Sequence, residues 1–181
     1  IINNLNYKTI NMFEPSKECV KFLSQKYNDK KISIINKAIS NKEKKSLFYE
    51  NEILSQSSLY LNKNKFNKNY NFKKKYTINC VSIDEYCKNK NKSFYIDLLK
   101  IDAEGEDLNV LKGSKKMLSQ KRVELIKIEL LNNENNKNKK SNIAQIFNYL
   151  DNYDYRLITV VKSKFQNKKL LMMDAYFSYK L

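Results

Sequence analysis

The sequence predicts a doubly wound α/β domain with a mostly parallel sheet, closed at its C-terminal end by an antiparallel hairpin. Two observations predict it. Ile96–Ile101 is a short apolar run broken by one lysine, which reads as a buried parallel strand. It gives way at once to four acids around a glycine (Asp102, Glu104, Gly105, Glu106, Asp107), and helical spacing then begins at Leu108, Val110, Leu111 and Leu118. Strand-like and helix-like periods also alternate along the chain and end in two strands around a turn. At 181 residues and 41% hydrophobic, the chain is long enough for one domain with a real core.

Taken in order, Thr9–Phe13 reads as a strand ending in Glu14-Pro15-Ser16. A helix follows through Cys19, Val20, Phe22, Leu23 and Tyr27, with Pro15 suited to its first turn. Lys31–Asn36 reads as the next strand, running on into Lys37-Ala38-Ile39-Ser40. Residues 41–75 are polar and rich in lysine and asparagine, and read as a loop excursion. Tyr76–Val81 is a short strand. Ile83–Cys87 is a short helix, with Ser82 as its cap and Glu85 at the third position of a capping box.

Beyond the carboxylate stretch and its helix, Val123–Leu130 reads as a strand ending near Glu129. Asn132–Ser141 is a polar loop at that strand's carboxyl end, where it borders the expected site. Ile143–Leu150 has Ile143, Ile146, Phe147 and Leu150 on one helical face. Leu157–Val161 and Leu170–Tyr179 are the hairpin strands, joined by a turn over Ser163–Lys169. With two glycines and one proline in the chain, asparagine takes over much of the turn work.

Composition narrows the chemistry. A formal charge of +16 invites a nucleic-acid reading. However, every basic residue except Arg122 and Arg156 is lysine, spread evenly among asparagines, and no arginine–aromatic interleaving appears. The absence of histidine removes Ser-His and Cys-His nucleophiles and the usual zinc sites. Cys19, Cys80 and Cys87 form no CxxC pair, and an odd count points to reduced thiols in a cytoplasmic setting. No apolar run approaches the length of a membrane span. Acid–base work therefore falls to Asp, Glu, Lys, Tyr or a bound metal.

Two places in the chain present carboxylates for such work. Asp102 lies where a strand becomes a loop, and ligands of open parallel sheets bind outside the carboxyl ends of the strands. Glu106 and Asp107 stand in the first turn of the following helix, where acids complement the dipole. Glu14 closes the first strand, as does an acid that accepts hydrogen bonds from ribose hydroxyls in a nucleotide-binding sheet; an ordinary helix cap explains it equally well.

Several segments together resemble the FkbM-type methyltransferases, a Rossmann-like, S-adenosylmethionine-dependent class. They are Phe13-Glu14-Pro15, Asn36-Lys37-Ala38-Ile39-Ser40, Ser57-Ser58-Leu59 and Val81-Ser82-Ile83-Asp84-Glu85-Tyr86. The most specific is Asp97-Leu98-Leu99-Lys100-Ile101-Asp102-Ala103-Glu104-Gly105-Glu106, followed by Val110-Leu111-Lys112-Gly113, Ile128-Glu129 and Asp174-Ala175-Tyr176-Phe177. The family pattern also has a strand and a glycine-rich turn ahead of Thr9–Phe13, and no glycine precedes Gly105 here. The expectation is therefore a single methyltransferase-like domain over residues 1–181, truncated at its N-terminus.

The resemblance implies that Glu14 holds the cofactor ribose and that Ala38 and Ile39 lie against the adenine. Asp102 would face methyl donor and acceptor, with Glu104 and Glu129 on the acceptor side. It implies a class I methyltransferase sheet and O-methylation of a sugar, glycan or small metabolite. A carboxylate would serve as base, or two or three carboxylates would hold a divalent metal. The alternatives are a non-catalytic module and, favoured only by the charge, an RNA methyltransferase.

Overall fold

The computed structural model describes residues 6–52, 57–60, 72–91, 93–131 and 143–180. Its elements, in chain order, are β1 (Ile10–Phe13), α1 (Lys17–Lys26), β2 (Ile32–Ile35), β3 (Ala38–Ile39), β4 (Lys44–Asn51) and β5 (Phe72–Val81). Then come α2 (Ile83–Cys87), β6 (Ile96–Ile101), α3 (Asp107–Lys112), α4 (Lys115–Ser119) and β7 (Val123–Leu131). The described chain ends with α5 (Ile143–Asp151), β8 (Arg156–Gln166) and β9 (Lys169–Ser178).

The α/β class holds, but among the described residues the strands form three sheets where one doubly wound sheet was expected: β1-β2, β3-β5-β4 and β6-β7-β9-β8. Pairing is parallel for β1-β2, β3-β5 and β6-β7, and antiparallel for β4-β5, β7-β9 and β8-β9. Helical crossovers account for β1-β2 and β6-β7, because parallel neighbours need a long connection to return to the same end. The sheets are therefore mixed. Within this arrangement β6 is an end strand, and Leu98, on the face of Lys100 away from the main core, is 46% exposed despite its apolar run, whereas Ile101 on the other face is buried.

Residues 41–75 are not simply a loop. Lys44–Asn51 is a strand paired with β5, and β5 itself begins at Phe72, earlier than the apolar pattern predicts. The strand period was hidden because the inward positions of β4, Phe48 and Glu50, include only one hydrophobe. Asn132–Ser141, expected to border the site, lies outside the described residues.

Other boundaries shift for local reasons. Ser16, not Pro15, opens α1: its hydroxyl accepts the Cys19 N–H at 3.3 Å, which leaves Pro15 just outside the helix. The helix expected from Leu108 to Leu118 is two short ones, α3 and α4, separated at Gly113 and Ser114. A Cβ on Gly113 would come within 2.2 Å of the Ser40 carbonyl oxygen, so this glycine is required for space. The β8–β9 turn is tighter than predicted. Asn167 (φ 48°) and Lys168 (φ 63°) form a two-residue hairpin loop with both central residues left-handed.

The main core lies on one face of the β6-β7-β9-β8 sheet. There Ile101, Ile126, Ile128, Leu130, Ala175 and Phe177 pack with Leu111, Leu118, Ile146 and Leu150 from the helices. The opposite face carries charge. Lys100 pairs in register with Lys127, and Lys127 with Tyr176; Glu129 pairs with Asp174. A smaller core of Ala38, Phe48, Ile78 and Cys80 holds the β3-β5-β4 sheet together.

Candidate active site

At the carboxyl end of β6 the chain makes a tight turn before α3. Glu104 has φ 46° and Gly105 φ 100°, and the Glu106 N–H donates to the Ala103 carbonyl at 3.1 Å. A left-handed backbone costs a residue with a Cβ about 1–2 kcal/mol relative to the ordinary conformation. Glycine meets that need at 105, whereas Glu104 is held there by its surroundings.

This turn brings Asp102 and Glu104 to Glu129 on β7. One carboxylate oxygen from each lies within 4.8 Å of the others. Sheet register accounts for the approach, since Ile101 pairs with Ile128 and the next residue on each strand is an acid. Asp102 is exposed and ion-paired to Lys100 at 2.8 Å. Glu129 is half-buried, and burial followed by the charges of Asp102, Asp174 and Asp107 raises its pKa, against a smaller opposing effect of Lys100. Asp174 is in turn neutralised by Lys127 at 2.9 Å. Three hard oxygen donors this close suit either proton transfer or a divalent cation such as Mg²⁺, Mn²⁺ or Ca²⁺.

Glu106 and Asp107, read from sequence as dipole-complementing acids, have larger parts. Asp107 is buried, its Oδ1 accepting the Ala103 N–H at 3.0 Å and its Oδ2 the Gly105 N–H at 3.1 Å. Glu106 makes no helix-capping bond through its side chain. Its buried carboxylate accepts from the Ser40 hydroxyl at 2.5 Å, from Asn109 Nδ2 at 3.1 Å and from the Tyr60 hydroxyl, with Lys44 Nζ 3.7 Å away. The Ser58 hydroxyl donates to the Glu104 carbonyl at 2.8 Å. Residues 57–60 thus lie against the carboxylate turn. The sequence signal for this was the Ser57-Ser58-Leu59 match, which marked a segment without saying what it touched.

Glu14 lies in another corner, and no described hydrogen bond or ion pair joins it to the three acids. Its Oε1 accepts the Ser16 N–H at 2.8 Å, while Asn36 Nδ2 ties the carbonyls of Glu14 and Pro15 to the end of β2. Burial raises the pKa of Glu14; the Ser16 N–H opposes that effect, and nearby Glu50 adds to it. Ala38 is buried in the small core, and Ile39 packs against the main one. Both side chains therefore point into protein, and what β3 offers a ligand is its outer backbone edge, since β5 occupies the other. The two arginines serve structure: Arg122 donates to the carbonyls of Phe94 and Asn91, and Arg156 pairs with Asp151.

The family model of the methyltransferase FkbM domain matches residues 2–157. The fold is similar to that of methyltransferase FkbM from Methylobacillus flagellatus KT, whose crystal structure superposes with a TM-score of 0.56 at 14% identity. That likeness covers 95% of this chain and 37% of the other, so the chain spans little more than a third of that protein's length. At this identity the likeness is one of fold. No curated protein matches the chain in sequence. Among the described residues, no helix is long and apolar enough to cross a membrane.

Proposed function

The chain belongs to the FkbM methyltransferase domain family, and from that premise we propose that it transfers a methyl group from S-adenosylmethionine to a hydroxyl of a sugar, glycan or other small metabolite. The observation that supports this most is the convergence of Asp102, Glu104 and Glu129 at the carboxyl ends of adjacent parallel strands. A hydroxyl must lose its proton to become methylated, and in a chain without histidine a carboxylate is the natural acceptor. Asp102, the most exposed of the three, takes that proton, with its charge balanced by Lys100. Glu104 and Glu129 line the acceptor side and orient it, since in methyl transfer the protein works mainly by alignment.

When bound, S-adenosylmethionine supplies an electrophilic methyl on a sulfonium. The residues present fit its nucleoside half: the Oε2 of Glu14 takes no described bond and serves the ribose hydroxyls, while the outer edge of Ala38–Ile39 lies by the adenine. Both glycines are already committed, Gly105 to the turn and Gly113 to packing, so neither supplies the glycine-rich turn that the family pattern sets against the methionine half. A second reading, favoured by the 4.8 Å cluster, has the three acids hold a divalent cation that acidifies the acceptor hydroxyl. The free thiols Cys19, Cys80 and Cys87 suit a reducing, cytoplasmic setting.

Calorimetric titration of S-adenosylmethionine into the full chain tests the cofactor assignment. Weak binding is expected, since no glycine precedes Gly105 to supply the family's glycine-rich turn. Glu14→Ala should weaken it about ten- to a hundred-fold, the scale of charge-assisted hydrogen bonds, with little change in melting temperature. Equal affinity in the variant reduces Glu14 to a support for the α1 cap, and no binding by wild type removes the cofactor assignment.

A further inference from the structure

We infer that Asp107 is a positioning residue for the carboxylate site, fixing the Ala103–Gly105 turn and thereby carrying Asp102 and Glu104 to Glu129. This rests on placing the site at those three acids. A capping acid bonds the N–H groups of the helix it opens. Asp107 also reaches backwards, to Ala103 and Gly105, which precede α3. Its two oxygens thus bracket Glu104, the residue whose left-handed backbone (φ 46°) needs support. Strained conformations of this kind persist only where the surroundings over-determine them. Here three further groups help: the Glu106 N–H on the Ala103 carbonyl, the Ser58 hydroxyl on the Glu104 carbonyl, and the glycine at 105.

Asp84 supplies the contrast within the same molecule. It is also an aspartate bound through both oxygens to two backbone N–H groups, those of Lys116 at 2.8 Å and Met117 at 3.0 Å. Those groups lie in the first turn of α4, have ordinary helical geometry, and belong to no cluster of three acids found among the described residues. Asp84 is therefore a cap, whereas Asp107 sets the conformation of a loop.

Amide hydrogen exchange by NMR on the full chain separates the two roles without any assay of activity, so it stands or falls independently of methyl transfer. In Asp107→Asn, exchange at Ala103 and Gly105 should quicken about tenfold or more, while core amides such as Leu111 and Ile128 keep their wild-type rates. Asp84→Asn should instead quicken Lys116 and Met117 and leave Ala103 and Gly105 unchanged. A crystal structure of Asp107→Asn should show the carboxylate oxygens of Asp102 or Glu104 moved out of the 4.8 Å cluster with Glu129. The inference is overturned by unchanged exchange at Ala103 and Gly105, by a uniform rise at all amides, or by an intact cluster in the variant. If Asp107→Asn fails to fold, Ser58→Ala, which removes the tie to the Glu104 carbonyl, should produce the same local pattern more weakly; a uniform rise there overturns it equally.

Discussion

Glu50 and Asp107 are both buried carboxylates, and the protein treats them in opposite ways. Glu50, on β4, receives the Tyr76 hydroxyl at 2.5 Å, the Lys74 ammonium at 3.0 Å and the Ser16 hydroxyl at 3.1 Å. Burial acts to raise its pKa, but the bonds from Tyr76, Lys74 and Ser16 outweigh burial and the net shift is downward. Asp107 receives backbone N–H groups, and there burial wins: its pKa is raised, with the charge of Asp102 adding to the effect. One acid is therefore more comfortable ionised in the fold than in the open chain, and the other less. The comfortable one joins a helix start to a sheet. The uncomfortable one stands beside the three acids of the candidate site, where perturbed carboxyls concentrate because the chemistry requires them.

The comparison breaks most readily at the site itself. Asp102→Asn keeps the shape of the side chain and removes the charge needed by a base or a metal ligand. Turnover should fall about a hundred-fold or more, the usual scale for loss of a general base. Adding a chelator to wild type then distinguishes the two readings: lost activity restored by Mg²⁺ or Mn²⁺ means the three acids act through a cation. Normal turnover in Asp102→Asn would move the active site elsewhere.

On the scaffold side, Glu50→Gln should cost stability at neutral pH. One charge-assisted set of bonds to Lys74, Tyr76 and Ser16 is lost, worth about 1–3 kcal/mol in urea unfolding. The sign with pH follows from the depressed folded-state pKa. The contribution of Glu50 is present above its unfolded pKa, near about 4.3, and is lost as pH falls through the folded value. The deficit of the variant should accordingly shrink in acid. A deficit that stays constant from neutral pH to below that range would mean the carboxylate charge contributes nothing.

How much of this could be read in the chain depends on how local the cause is. Ile83–Cys87 and Ile96–Ile101 match their expected bounds because cap and period lie within the segment itself. That Asp102, Glu104 and Glu129 share one site was implied only by the resemblance to the family; the physical reason they meet is that parallel neighbours place the ends of successive strands side by side. The strand Lys44–Asn51 was not. Its buried Glu50 is explained by Ser16 and Tyr76, 34 and 26 residues away, and no local window contains them. Glu106 and Asp107 look alike in sequence, as two acids at a helix start. What separates them is the left-handed turn at Glu104, of which Gly105 is the sole hint, and the hydroxyls of Ser40 and Tyr60, brought to Glu106 by other elements.

The smallest expected effect sharpens the comparison furthest, because it predicts a slope opposite to that of Glu50. Asp107→Asn exchanges a buried charge for a neutral group of the same shape. It loses one acceptor for a backbone N–H and gains relief from burying the charge. These terms are of similar size and opposite sign, so unfolding free energy at neutral pH should change by no more than about 1 kcal/mol. Its dependence on pH is more telling. For a raised folded-state pKa, the stabilising contribution is full below the unfolded value, near about 3.9, and disappears as pH rises through the folded one. Wild type should therefore gain stability from Asp107 as pH falls from neutral toward that range, and Asp107→Asn should lack that part of the gain. Glu14, whose pKa is also raised, contributes equally in both proteins and drops out of the difference, whereas Glu129, raised in part by the charge of Asp107, loses that part in the variant and adds to the difference with the same sign. Urea unfolding of the pair at several pH values measures it. Parallel curves would mean that Asp107 titrates like an aspartate in water, and that the fold bears no strain in keeping a charge beneath the Glu104 turn.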